Sequence, residues 1–544
     1  MKDCCKPTFR PPGERAVFQI DGLSFNFPDG HVALQDIDLT IYEGDRIALV
    51  GPNGAGKTTL VKHLNGIYRP AKGVVRYLGK AVEGEHLRRI RLEVAMLFQD
   101  PDNQLFSNTI YDDVAFGPLN QGLDREQTDV QVHTAIQADG LQSLLYKAPH
   151  RLSYGQKKRA ALATLLSMNP QVLILDEPTA NLDPKQEKVF FELLAEFSGT
   201  LICISHDLPF LYMLCLRAVV LANGRVQHDL PIEDFVSHRH SLRDHGLDFT
   251  FRLECCRGHD TPAPEPPNAL AIAGPADSSS LRADASPAAL EGGSLLELSD
   301  YSYQYPDGTW GCRNIHLTIE QGERLALVGE NGAGKSTLIA CLMGILQGKG
   351  QYRFQGRSVD KRLRKELWRH VGIVFQDPAD QLFCPSCREE VAFGPRRLRL
   401  SPSEIEERVR ESLERVKLTG FGKRVPHHLS AGERKRLAIA SVLSMRPEVL
   451  ILDEPTANLD PQSEELILEI LSRLDATLLL ITHDPFFISA LCSRTIVMHC
   501  GRIIRNYETR DFERDVHLIE VNGLDYHFKD GCCQEIVDRQ QASA

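Results

Sequence analysis

No stretch of the 544 residues approaches the ~18–20 consecutive apolar side chains that a membrane-spanning helix requires. Any membrane part of the function is therefore expected on other chains. The opening Met1-Lys2-Asp3-Cys4-Cys5-Lys6-Pro7-Thr8 has no apolar core of the kind a secretory signal carries, so a cytosolic chain is expected. A basic excess is missing too. With 62 Lys and Arg against 73 Asp and Glu, the formal charge of −11 argues against a general nucleic-acid binder. The short basic runs Lys157-Lys158-Arg159 and Arg434-Lys435-Arg436 read as solvated faces at helix starts. The 14 cysteines are expected as free thiols in a reducing compartment.

The length suits two to four domains, and the dominant feature is an internal repeat offset by about 277 residues. Leu23–Gly30 matches Tyr301–Gly308, Phe98–Phe106 matches Phe375–Phe383, and Val172–Asp183 matches Val449–Asp460. Units are placed at 15–256 and 295–533, with an N-terminal tail at 1–14 and a C-terminal tail at 534–544. Between the units, residues 257–294 are rich in Pro, Ala, Ser and Gly and read as a flexible linker spanning roughly 35 Å, enough for the units to meet. Within each unit, short aliphatic strands (Val172–Leu175, Leu201–Ser205) alternate with helical stretches (Gln156–Leu166, Glu187–Phe197), the signature of an α/β fold with a mostly parallel sheet. An antiparallel β layer is expected before each glycine loop, and a helical insertion between Gln99 and Ser153.

The chemistry begins at Gly51-Pro52-Asn53-Gly54-Ala55-Gly56-Lys57-Thr58-Thr59 and its repeat, Gly329-Glu330-Asn331-Gly332-Ala333-Gly334-Lys335-Ser336-Thr337. Each follows an apolar strand (Arg46–Val50, Arg324–Val328) and opens a helix near its lysine, the context that makes this pattern a phosphate loop. Inward backbone N–H groups and the helix N-terminus favour anions. Lys57 and Lys335 reach the β/γ-phosphates, and Thr58 and Ser336 offer hydroxyls to Mg²⁺. Asp176-Glu177 and Asp453-Glu454 end strands at the edge where such sheets bind ligands. The aspartate suits a Mg²⁺ role and the glutamate that of proton acceptor from water. His206 and His483, each just past a buried strand, are placed for a γ-phosphate. Ser153/Gly155 and Ser430/Gly432 open helices and read alone as N-caps. Since each unit already has a phosphate loop, they invite a partner in trans.

In this order the motifs resemble those of the ABC ATPases over both halves. The resemblance implies two tandem P-loop domains, each with a RecA-like core, an antiparallel β layer and a helical subdomain, paired head to tail around two ATPs. It assigns Gln99 and Gln376 to nucleotide and Mg²⁺, Phe27 and Tyr305 to adenine, and joins Ser430 and Gly432 to the first site and Ser153 and Gly155 to the second. Tyr154 and Ala431 stand where the signature usually has glycine, and Glu433 fills its last position, but no hydrolytic residue is lost in either half. Phe-Gln-Asp-Pro-x-x-Gln-Leu-Phe, followed by Asp113–Pro118 or Glu390–Pro395, resembles energy-coupling-factor importers and cobalt/nickel transport ATPases. That narrower likeness implies a transmembrane coupling subunit and a substrate-specificity membrane subunit as partners, no nucleic acid, and a place on the cytoplasmic face of the membrane. A fused monosaccharide-importer ATPase and a soluble translation-factor-type ATPase share the two-unit plan. The first is not expected to carry this segment twice, and the second typically has a charged helical linker.

Cys384-Pro385-Ser386-Cys387 has redox or metal spacing, yet the first half has Ser107 and Asn108 in that region, which argues against such a role. The Cys-Cys pairs at 4–5, 255–256 and 532–533 read as surface thiols inherited by duplication, with a soft-metal site as the alternative.

Overall fold

The computed structural model describes residues 7, 9, 11–28, 30–138, 140–180, 182–237, 294–457, 459–512, 536 and 539. The three Cys-Cys pairs and residues 257–293 of the expected linker lie outside the described residues.

Each half carries a six-stranded sheet. In the first half its order is Arg225–Pro231, Arg217–Ala222, Arg46–Val50, Thr200–Ile204, Val172–Asp176, Val94–Leu97. All neighbours are parallel except the pair formed by the edge strand Arg225–Pro231. The strands at 46–50, 94–97, 172–176 and 200–204 are mostly aliphatic because both faces are covered, whereas the edge strand Arg225–Pro231 is polar and largely exposed. Ala48, Val50, Leu173 and Leu175 enter one core, whereas Ile47, Leu49, Val172 and Ile174 enter the other. The second core lies against an antiparallel sheet ordered Val32–Tyr42, Ala16–Asn26, Lys72–Tyr77, Lys80–Ala81. The first core is closed by helices that include Ile110–Gln121, Arg125–Ala138 and Tyr154–Leu166. The second half repeats this plan around Val371–Val374, Val449–Asp453, Thr477–Ile481, Arg324–Val328, Arg494–His499 and Arg502–Glu508.

The strands read as Val172–Leu175 and Leu201–Ser205 run Val172–Asp176 and Thr200–Ile204, a shift of one residue, and the helix read to Phe197 ends at Glu196; two helix starts differ by more. The helix expected from Glu187 starts at Pro184, because Asp183 caps it by accepting the Gln186 N–H (2.9 Å) and proline suits the first turn. The helix expected from Gln156 starts at Tyr154, where Ser153 and Gln156 form a reciprocal capping box. Near the chain's end, Ile536 is fully buried in the first half's core, and Arg539 lies 3.5 Å from Glu233.

Candidate functional site

Each central strand ends in a loop that only glycine can follow. Gly51 has φ +146°, and a Cβ there would lie 2.0 Å from the Leu221 carbonyl oxygen. The loop delivers Lys57 at the start of helix Lys57–Leu64, buried, with Nζ donating to the carbonyls of Gly51 (2.6 Å) and Pro52 (3.1 Å). Burial lowers the pKa of Lys57, opposed by Glu177 and Asp176. Thr58 donates its hydroxyl to Asp176 Oδ2 at 3.0 Å. The second half lacks a counterpart hydrogen bond between Ser336 and Asp453 among the described residues. Its Lys335 donates to the Glu330 carbonyl (3.2 Å) and lies 3.4 Å from His483 Nε2.

Glu177 and Glu454 occupy the left-handed region, with φ +49° and +44°. That conformation is costly for a side chain with a Cβ and is held by its surroundings. The backbone N–H of Glu177 donates to Ile204 (2.9 Å) and that of Glu454 to Ile481 (2.8 Å). Their carboxylates sit 3.5 Å from His206 Nε2 and 3.7 Å from His483 Nε2. Burial pushes both glutamates up to about 7. Burial likewise lowers His206 to about 4 and His483 to about 3, so both imidazoles are neutral at pH 7. Glu454 Oε1 and the Nδ1 atoms of both histidines are buried with no hydrogen-bond partner among the described residues.

The basic runs correct the sequence reading. Lys158 and Lys435 are not solvated: they are 0% and 1% exposed. Lys158 Nζ donates to the carbonyls of Glu177 (2.5 Å) and Ala180 (3.1 Å), and Lys435 to those of Gln376 (2.6 Å) and Glu454 (3.2 Å). The helix turns the middle residue of each run fully inward and leaves its neighbours half-buried. These lysines clamp the strained turn that aims each glutamate.

The halves meet at the first site. Asn53 donates its amide N–H to Asp460 Oδ2 of the other half at 2.9 Å, and its Oδ1 accepts from His206 Nε2 (3.1 Å). A cavity of about 440 Å³ brings Phe27, Asn53–Thr59, Gln99, Asp176, Glu177 and His206 together with Gln376, Ala431 and Arg434 of the second half. Gln376 thus borders the first half's site. Ser430 and Gly432 are absent from the wall. The Ser430 hydroxyl accepts the Glu433 N–H (3.2 Å), and Gly432 leaves room for Ser463, whose Oγ would be 2.3 Å from a Cβ. Gly155 is crowded in the same way by Gln186. Tyr305 donates to or accepts from Thr337 Oγ1 at 2.9 Å.

The profile of the ABC transporter family matches residues 34–180 and again 312–457. The chain belongs to the ABC transporter family. An ABC transporter ATP-binding protein of Methanosarcina mazei is 33% identical over 91% of this chain and 89% of its own. One from Streptomyces coelicolor is 41% identical over 45% of this chain and 94% of its own. The solved structure of cbiO1 from Clostridium perfringens, part of the ABC transporter complex cbiONQ, is 35% identical, covers 45% of this chain and 98% of its own, and has a TM-score of 0.39. As a member of this ABC family, the chain binds ATP in two tandem α/β domains and hydrolyses it in support of transport. No helix among the described residues is long and apolar enough to cross a membrane.

The surroundings of Cys384 and Cys387 disfavour the thiolate at both positions. Burial pushes Cys384 up to about 11, helped by Glu390, and burial also raises Cys387.

Proposed function

We propose that this chain is the ATPase subunit of an energy-coupling-factor-type importer, its units at 15–256 and 295–533 pairing within one chain across the 257–294 linker. It would work on the cytoplasmic face of the membrane with a transmembrane coupling subunit and a substrate-specificity subunit. The cargo class is a vitamin, a vitamin precursor or a cobalt or nickel ion. The observation that carries this reading is a pair of exposed aromatic corners built alike in both halves. Phe106 and Phe116 are 69% and 52% exposed and meet edge-on at 5.0 Å; Phe383 and Phe393 meet edge-on at 4.9 Å.

In the first half the corner lines a groove of about 590 Å³ with Arg88 and Arg91 on its rim. Apolar surface of this kind suits a docked helix. Its shape is fixed by a buried carboxylate: Asp113 accepts the N–H groups of Phe106 (3.1 Å) and Ser107 (2.9 Å), and Glu390 accepts those of Phe383 (2.9 Å) and Cys384 (2.7 Å). Gln104 carries the groove to the site. Its side chain accepts from Phe98 N (3.3 Å) and donates to Ala161 (3.0 Å) and Thr164 (3.1 Å) on the helix opened by Ser153. Gln381 does the same in the second half. A helix in the groove therefore bears on both the Gln99 segment and that helix. Phe106→Ala with Phe383→Ala should abolish co-purification of the membrane subunits while ATP binding by the chain persists. Unchanged co-purification would remove the groove from the account.

For hydrolysis, the glycine loops take the phosphates, with Lys57 and Lys335 exchanging carbonyl partners for phosphate oxygens. Phe27 and Tyr305 stack on adenine. Thr58, Gln99 and Asp176, and Ser336, Gln376 and Asp453, would hold Mg²⁺, and the Thr58–Asp176 contact fits that donor set. When bound, the ion neutralises charge on the phosphate oxygens. Glu177 and Glu454 accept the proton of the attacking water, and neutral His206 and His483 orient the γ-phosphate. A base raised to about 7 is ionised only above that pH. Hence kcat/KM for ATP should fall as pH drops through about 7 and level off above it. A profile flat from about pH 5.5 to 8 would exclude these carboxylates as the base.

A further inference from the structure

We propose that the second half carries a binding site for one borderline divalent cation, of the Zn²⁺, Co²⁺ or Ni²⁺ class, formed by Glu330, His499 and Cys500 against its glycine loop. One ligand atom from each of the three lies within 4.8 Å of the others, the only such group among the described residues. His499 Nδ1 stands 3.0 Å from Glu330 Oε1, yet that buried nitrogen makes no hydrogen bond among the described residues. A carboxylate oxygen, an imidazole nitrogen and a thiolate sulfur together select first-row borderline metals over Mg²⁺ or Ca²⁺. Cys500 is exposed, so the remaining coordination position faces solvent.

The site belongs to one half only. Pro52, Ala222 and Asn223 stand at the corresponding positions of the first half, and none can supply this donor set. Cys500 has φ +45° and Asn223 φ +51°. Asparagine tolerates that backbone and cysteine has no special fitness for it, so the side chain rather than the turn accounts for Cys500. The turn is fastened to the phosphate loop: Gly501 N–H donates to the Ala333 carbonyl at 2.8 Å, and Glu330 itself is the loop's second residue. A cation bridging Glu330 to His499 and Cys500 therefore stiffens the loop that presents Lys335, and slows ATP turnover.

The test uses the full-length chain and Co²⁺ as a spectroscopic probe, comparing wild type with H499A/C500N, which restores the residues of the first half. Wild type should take up one equivalent with a thiolate-to-cobalt charge-transfer band. The variant should lose that band, its apparent affinity falling at least ~100-fold, since loss of outer-shell partners alone costs 10–100-fold. Its metal-free Mg²⁺-ATPase rate reports that it folds. Micromolar Co²⁺ under excess Mg²⁺ should slow the wild type and leave the variant unaffected. An equal band in the variant overturns the site, and a wild-type rate indifferent to bound Co²⁺ overturns its coupling to the loop.

Discussion

A chain carrying both Glu177→Gln and Glu454→Gln should hydrolyse ATP some 10²–10⁴-fold more slowly than wild type, the usual contribution of a positioned general base. ATP binding should survive. Glutamine has the same shape, and its amide oxygen can still accept the Thr482 hydroxyl that Glu454 Oε2 accepts at 3.0 Å. The lysines of the glycine loops are untouched. Steady-state phosphate release, alongside equilibrium binding of a fluorescent ATP analogue, separates the two effects. A rate within about tenfold of wild type would show that neither glutamate takes the proton.

Lys158→Met should be the most damaging substitution away from the nucleotide. It leaves the Glu177 and Ala180 carbonyls buried without their donor, at about 1–3 kcal/mol each. Part of that is offset, because burial already lowers Lys158 to about 8 and the cation's desolvation is relieved. A net loss of ~2–4 kcal/mol remains, which for a unit of this size lowers the thermal midpoint by about 5 °C or more. Since the same ammonium restrains the left-handed Glu177 turn, hydrolysis should fall as well, even at temperatures where the variant is folded. Unchanged midpoint and rate would mean that the turn holds itself.

Much of this was legible beforehand because local signals agreed. Aliphatic runs bounded by glycine gave both central strands at Arg46–Val50 and Arg324–Val328, and the structure has them there. The α/β class followed from alternation, and the duplicated motifs from the repeat. Three basic residues in a row suggest solvent, although Lys158 is buried. The helical period held the correction, since Gly155, Lys158 and Leu162 share one buried stripe. The helix start at Pro184 is marked by the Asp183 cap before it, a signal that the apolar pattern from Glu187 onward does not carry. Nothing in the sequence signalled the metal-ligand triad, which folding assembles from a loop and a distant strand end. Nor did anything signal that Ile536 would join the first half's core.

If one chain supplies both walls of its nucleotide sites, as the Asn53–Asp460 contact indicates, its mass and its ATP count in the trapped state are fixed. Sedimentation of the Glu177→Gln/Glu454→Gln chain in saturating MgATP, with bound nucleotide counted in the same sample, reads both. A 60.9 kDa particle holding two ATPs is expected. A particle of twice that mass, or one nucleotide per chain, would contradict pairing within one chain.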